Sequence, residues 1–380
     1  MNGESISIIL FLLTLGILIF LDRKNIELKY GAIIRRTKKG RKIIRKLAKK
    51  YERSLKVFSN VSVGLAFIVS IIGFYLLLTI PGVRFMAPKI FPGKPSETVQ
   101  RYVFFIPLWY WIIAVFVIMT PHELSHGLIA VVEKIKIKSL GVFLFLVFPG
   151  AFVEQDEEEF QKSEPLTRMR IASVGSIANL MVFLILMGMF ISLIKLWPVI
   201  FEENGVEFEN TIPGTPADDV NLEGVITRIN DHEIRSVYDL SDALSSVKPG
   251  ERIVIVTTKG EYELNTVKHP ENASLPFIGI GNISTRIEYS RQFKSLGNPR
   301  TVVNVYEWVL DLLGWIAFLD INVAVANLLP FLPFDGGVIW QSLLEKFLDK
   351  KKAKKLTIIL SVITYFVLFL KFNGVNLLRV

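Results

Sequence analysis

Cysteine is missing from all 380 residues. No disulfide can form and no thiolate can hold a metal, so any transition-metal site must use histidine and carboxylate. Histidine is scarce as well: the four are His122, His126, His232 and His269, and two of them share one pentapeptide. Charge is also sparse. Charged residues make up 21% of the chain, against 51% hydrophobic and 12% aromatic, and the mean hydropathy is +0.44. A soluble domain carries roughly 25% charged residues. The apolar excess is gathered into long runs, and that places the chain among membrane proteins.

Six apolar runs are expected to span, at about residues 5–21, 61–80, 102–132, 171–196, 302–332 and 356–372. The first is short, because a spanning helix needs about 20 residues. Nothing basic precedes it and no small-residue cleavage site follows it, so it reads as a span or anchor rather than a signal peptide. A shorter aromatic patch at 142–148 is too brief to cross and fits a hairpin or re-entrant segment. The acidic cluster at 154–159 reads as a solvated loop.

The net charge of +9 comes from 44 Lys and Arg against 35 Asp and Glu. The basic residues crowd into 22–57 and 346–355, beside apolar runs. There they fit the positive-inside rule and an anionic lipid surface better than a nucleic acid, and no nucleic-acid partner is expected. Placing both stretches in the cytoplasm puts residues 200–287 on the opposite side. Those residues are polar, with short β-like runs such as 252–258 and turn signals at Pro213-Gly214 and Pro249-Gly250, so they read as an extramembrane domain.

The pentapeptide His122-Glu123-Leu124-Ser125-His126 lies inside the third run. On a helix, histidines at i and i+4 share one face, one turn apart, and can reach one metal ion. Glu123 projects beside them as a general base. Zinc lowers the pKa of a bound water to about 7 and polarises a carbonyl. The flanks are almost wholly apolar, where an ionisable side chain costs about 2.5–3.5 kcal/mol on insertion scales. Pro121 is expected to kink or restart the helix. Two histidines do not complete a catalytic zinc site, which usually has three protein ligands. His232 and His269 fall in the polar domain, so the third ligand should be a carboxylate near an apolar run. Asp311, Asp320 and Asp335 qualify by position, and Asp335 lies where prolines and glycines break the helix.

These motifs resemble the site-2 protease family of intramembrane zinc metalloproteases. His122-Glu123-x-x-His126 is followed by Gly175-Ser176-Ile177-Ala178-Asn179, similar to the family's Gly-x-x-x-Asn element. Asn327-Leu328-Leu329-Pro330 leading to Asp335-Gly336 is similar to its Asn-x-x-Pro…Asp-Gly box. The resemblance implies that Asp335 is the third ligand of Zn2+. It also implies that Asn179 and Asn327 lie near the substrate. Asp320 departs from the family, which more often has a small polar residue there. Residues 211–244 resemble a PDZ domain, although no clear Gly-Leu-Gly carboxylate-binding loop is present.

The expected architecture is a polytopic α-helical membrane protein of about six spans with a small α/β, PDZ-like domain. Residues 1–102 would hold two spans and a basic loop, 103–199 and 288–345 the catalytic core, 200–287 the insert and 346–380 the final span. The expected activity is proteolysis of a single-spanning membrane protein within the bilayer, with a peptide or regulator at the PDZ-like domain. The alternatives are a membrane-anchored zinc peptidase acting on soluble peptides and an inert PDZ-bearing scaffold. A transporter would tend to show inverted repeats, and the sequence has none.

Overall fold

The computed structural model describes every residue except 1, 2, 30, 92, 146, 147, 294–297, 376 and 378–380. Among the described residues, five helices are long and apolar enough to cross a membrane: Glu52–Thr79, Leu108–Val132, Pro165–Ile200, Pro299–Leu328 and Lys350–Phe372. The first run forms a helix, Gly3–Leu21, but its apolar stretch, Ile8–Leu21, is shorter than a spanning helix. A polytopic membrane protein stands on the five.

The chain divides into two compact units. One comprises residues 1–190 with 311–380, the other residues 191–310. In the first unit, helix contacts are built from small residues. The helix Glu52–Thr79 buries Ser59, Ser62, Ala66, Ser70 and Gly73 along one stripe. A Cβ on Gly73 would come within 2.8 Å of Val325 on the helix Pro299–Leu328. Lipid chains are as apolar as leucine, so membrane helices associate through such close packing rather than through hydrophobic burial. Ala66, Met169, Ala172, Ile177, Leu328 and Ile339 form one core that gathers four helices.

The basic stretch 22–57 is not the loop expected from sequence. Ile26–Lys29 and Ala32–Thr37 pair as a hairpin, and a short helix, Arg41–Lys50, follows. Ala32–Thr37 also pairs with Ile137–Phe145, which pairs with Phe148–Gln155. The aromatic patch at 142–148 therefore lies in a four-stranded sheet, except for residues 146 and 147, which lie outside the described residues. Phe148–Gln155 is one edge strand and Ile26–Lys29 the other, while Ile137–Phe145 is paired on both sides. The acidic cluster is likewise committed. Asp156 caps the short helix Glu157–Lys162 by accepting the Glu159 amide. Glu159 takes the Lys136 side chain and backbone N–H, and Lys136, then its backbone amide, hold that carboxyl below the usual range.

The second unit is an antiparallel sheet in the order Glu261–Asn265, Arg252–Thr257, Ile226–Ile229, Phe201–Glu207, Ser284–Tyr289, with His232–Glu233 on Ile226–Ile229. Alternate residues of Arg252–Thr257, such as Ile253 and Ile255, point inward, as period-two patterning requires. They pack with Val206, Ile226, Ile229 and with Leu240 and Ala243 of the helix Val237–Ser245. An aromatic group of Trp197, Phe201, Tyr289 and Tyr306 ties the helix ends of this unit to its sheet.

Candidate metal centre

The helix Leu108–Val132 is continuous through Pro121, so of the expected kink or restart the helix does not restart there. Its 3.6-residue turn stacks His122 over His126, and their Nε2 atoms lie 3.1 Å apart. His122 is buried and Glu123 half-buried.

Asp335 arrives from a different kind of backbone. The helix Pro299–Leu328 ends, the chain passes irregularly through Leu329–Phe334, and the short helix Asp335–Leu344 begins at the aspartate itself. Irregular backbone at membrane depth survives only where its polar groups find partners. Here the Leu332 N–H donates to Ser361 Oγ at 3.0 Å, and the Leu332 carbonyl accepts from the Tyr365 hydroxyl at 2.9 Å. Both partners sit on the helix Lys350–Phe372. Gly336 then folds so tightly onto the break that a Cβ would lie 2.2 Å from the Leu329 carbonyl oxygen. Trp340 donates to Ser70 at 2.9 Å. Arg168, fully buried, grips Glu345 just past the helix end with both terminal nitrogens, and Gln341 donates to the same carboxylate at 3.0 Å. The break aims Asp335, and these contacts hold the aim.

Asp335 Oδ2 lies 3.5 Å from His122 Nε2 and 3.4 Å from His126 Nε2. Ligands bonded tetrahedrally to zinc at 2.0–2.1 Å are separated by about 3.3–3.4 Å. The observed separations of 3.1, 3.4 and 3.5 Å fit one coordination sphere. Asp335 Oδ2 is buried without a hydrogen-bond partner, as an oxygen reserved for a cation would be. Among the described residues this is the one group of three or more His, Asp or Glu placed to hold a metal ion.

The helix Pro165–Ile200 forms the wall behind the histidines. The Ile171 carbonyl lies 2.6 Å from His126 Nδ1. That contact keeps the proton on Nδ1 and the Nε2 lone pair toward the shared point. One turn on, a Cβ on Gly175 would come within 2.3 Å of His126 Nε2 and 2.9 Å of His122 Cε1, so only glycine admits the pair. Neither the Ile171 carbonyl nor the Val153 amide described next was visible as a site element, because backbone groups have no residue signature.

The Glu123 carboxylate accepts the Val153 N–H at 2.9 Å. Val153 lies on the edge strand Phe148–Gln155, so the acid of the motif is tied to a sheet edge. Asn179, one turn beyond Gly175, is fully buried and neither amide atom has a partner. Asn327 is half-buried in the last turn before the break. Asp320 is fully buried with both oxygens unpartnered. It stays outside the group of three, as does Asp311. His232 is exposed on its strand, and His269 Nδ1 accepts the Glu271 amide.

The model of peptidase family M50 matches residues 110–371, which contain His122, His126 and Asp335. An "Uncharacterized protein MJ0971" of Methanocaldococcus jannaschii is 29% identical over 372 residues, 92% of this chain and 89% of the relative. A protein of Clostridium perfringens named "Putative zinc metalloprotease CPE1693" is 24% identical over 293 residues, 60% of this chain and 85% of the relative. Five long apolar helices, a His-His-Asp group and a match over more than half its length lead to one conclusion: the chain belongs to peptidase family M50 and is a membrane-embedded metalloprotease.

Proposed function

We propose that this protein is a site-2-type zinc endopeptidase that cleaves transmembrane segments of single-spanning membrane proteins, in regulated intramembrane proteolysis. The observation that carries the reading is the set of three ligand atoms within 3.5 Å of one another, seated in part on a 25-residue apolar helix. His122, His126 and Asp335 would hold the zinc, which when bound supplies Lewis-acid polarisation of a carbonyl and an acidified water. Glu123 takes the proton of the attacking water and delivers it to the leaving amine. Asn179 and Asn327 orient the scissile peptide.

A transmembrane helix hides its carbonyls in hydrogen bonds, so the substrate must unwind before it is cut. The edge strand Phe148–Gln155 offers it unpaired backbone groups. A substrate strand added there would take over the Val153 N–H and release the Glu123 carboxylate at the moment peptide arrives.

Sidedness follows from charge. With five spans, the positive-inside rule puts residues 22–57 and 346–355 on one side, which we assign to the cytoplasm, and residues 200–287 on the other. This holds whether or not Gly3–Leu21 crosses. The sheet-and-helix second unit supports a PDZ-like filter for a peptide or regulator.

Glu123→Gln should keep stoichiometric zinc and lose cleavage of a membrane-spanning substrate in proteoliposomes. Full activity in that variant would sink the mechanism. Faster cleavage of soluble peptides than of membrane segments would instead favour a membrane-anchored peptidase.

A further inference from the structure

The short helix Arg41–Lys50, Arg-Lys-Ile-Ile-Arg-Lys-Leu-Ala-Lys-Lys, is not used by the catalytic site. It contains six basic residues and no acid. Arg41/Arg45, Lys42/Lys46, Arg45/Lys49 and Lys46/Lys50 are like-charge pairs one turn apart, and such pairs oppose helix formation. Its first turn has no acid and its Gly40 cap provides no side-chain acceptor, so the positive end of the helix dipole meets more positive charge. Neighbouring segments are neutralised: Arg35 pairs with Asp22, Arg36 with Glu27 and Glu154, and Lys56 with Glu52. Lys42, Arg45, Lys46, Lys49 and Lys50 are exposed. No ion pair joins any of them to a carboxylate among the described residues.

The distribution around the helix axis is ordered. At 3.6 residues per turn these five basic residues cover an arc of about 140°. Ile43 and Leu47 occupy the adjoining arc and stay 64% and 40% exposed. Ile44 and Ala48 come next and are buried, on a helix that packs against Leu108–Val132. Only Tyr51 separates the basic helix from the membrane-crossing helix Glu52–Thr79. A basic face beside an exposed apolar stripe, covalently joined to a span, is the chemistry of a helix lying at the headgroup boundary.

We propose that Arg41–Lys50 is a docking surface for anionic lipid headgroups of the bilayer. Lys42, Arg45, Lys46, Lys49 and Lys50 meet the headgroups, Ile43 and Leu47 enter the acyl boundary, and Ile44 and Ala48 couple that contact to the helix bearing His122 and His126. The inference does not depend on the identity of the substrate or on catalysis.

The chain has no cysteine, so Leu47→Cys gives a single labelling site for an environment-sensitive fluorophore on the full-length protein. The labelled protein is placed in nanodiscs of phosphatidylcholine alone or with about one third phosphatidylglycerol. A blue shift is expected in the anionic discs only, and molar salt should reverse it. Each charge removed should weaken the response to phosphatidylglycerol about fivefold. Lys42→Gln, Arg45→Gln, Lys46→Gln and Lys49→Gln together should therefore abolish it. Lys42→Arg, Lys46→Arg and Lys49→Arg together should preserve it, and this charge-conserving variant separates lost lipid contact from misfolding. Equal emission in both lipids, or an unchanged response in the glutamine variant, would overturn the proposal. So would the same shift produced by inorganic phosphate or an oligonucleotide in zwitterionic discs.

Discussion

The candidate metal centre is built from two unlike regions. His122 and His126 sit on a continuous helix, and their spacing alone brings the two imidazoles together. Asp335 sits after a broken segment, and nothing local aims it. Its direction depends on Ser361 and Tyr365 holding Leu332, on Trp340 reaching Ser70, and on Arg168 gripping Glu345. A pair of ligands one turn apart is secured by helix geometry. A ligand more than two hundred residues away has to be secured by packing, and its supports are as much part of the site as its carboxylate.

Breaking the distant half should give the largest effect. Asp335→Ala removes the carboxylate of the His-His-Asp group and is expected to weaken zinc binding roughly a hundredfold or more, measured by metal content after dialysis. Asp320→Asn is its control and should retain stoichiometric zinc, because Asp320 lies outside the group of three. Loss of zinc in the control would mean that Asp320 ligates.

Arg168 tests the support rather than the ligand. Removing one partner of a buried, bidentate ion pair leaves an uncompensated charge and costs about 3–5 kcal/mol. Arg168→Ala should therefore lower thermal stability and, because Glu345 follows the helix that begins with Asp335, reduce zinc affinity as well. An Arg168→Glu, Glu345→Arg swap that restores both would show that the pair positions the helix. Unchanged zinc affinity in Arg168→Ala would confine the pair to stability.

Gly175→Ala probes the helical half. A methyl group 2.3 Å from His126 Nε2 must displace the imidazole. Zinc affinity should fall about 10- to 100-fold, with the fold intact by circular dichroism. Native affinity would show that the wall yields.

The smallest effect is expected in the second unit. Ser236 and Asp239 form a capping box on the helix Val237–Ser245. Burial pushes the Asp239 carboxyl up, but the Arg235 and Ser236 amides and the Ser236 hydroxyl outweigh it and hold the group below its ordinary value of 3.8. The stabilisation is present above the unfolded value and lost as pH falls through the lower folded one, a window below about pH 4. Asp239→Ala should cost about 1 kcal/mol, remove that acid dependence and leave zinc binding unchanged. A change in zinc content would break the separation between this unit and the metal centre.

Much of this was legible before the fold was known. The apolar runs marked the five long helices, because length and hydropathy decide what crosses a bilayer. The residues of the metal-binding group were each named from spacing and resemblance. What was not legible shares one cause. The basic stretch 22–57 carries a strand pair and a helix, and the hairpin expected at 142–148 belongs to a wider sheet. The pairing of Ala32–Thr37 with Ile137–Phe145 joins segments a hundred residues apart, and no local pattern announces such a partner. The same pairing makes Phe148–Gln155, rather than the patch as a whole, an edge of the sheet.

Sequence by itself determined the membrane class, the absence of thiolate ligands and the facing of His122 and His126, because composition and helical periodicity are local properties. Spacing left Asp311, Asp320 and Asp335 open and only resemblance favoured Asp335; tertiary structure decided that Asp335 joins the histidines, that the Ile171 carbonyl orients His126, and that Glu123 rests on the Val153 amide. Each of those contacts lies between elements distant in sequence, where only packing sets the distance.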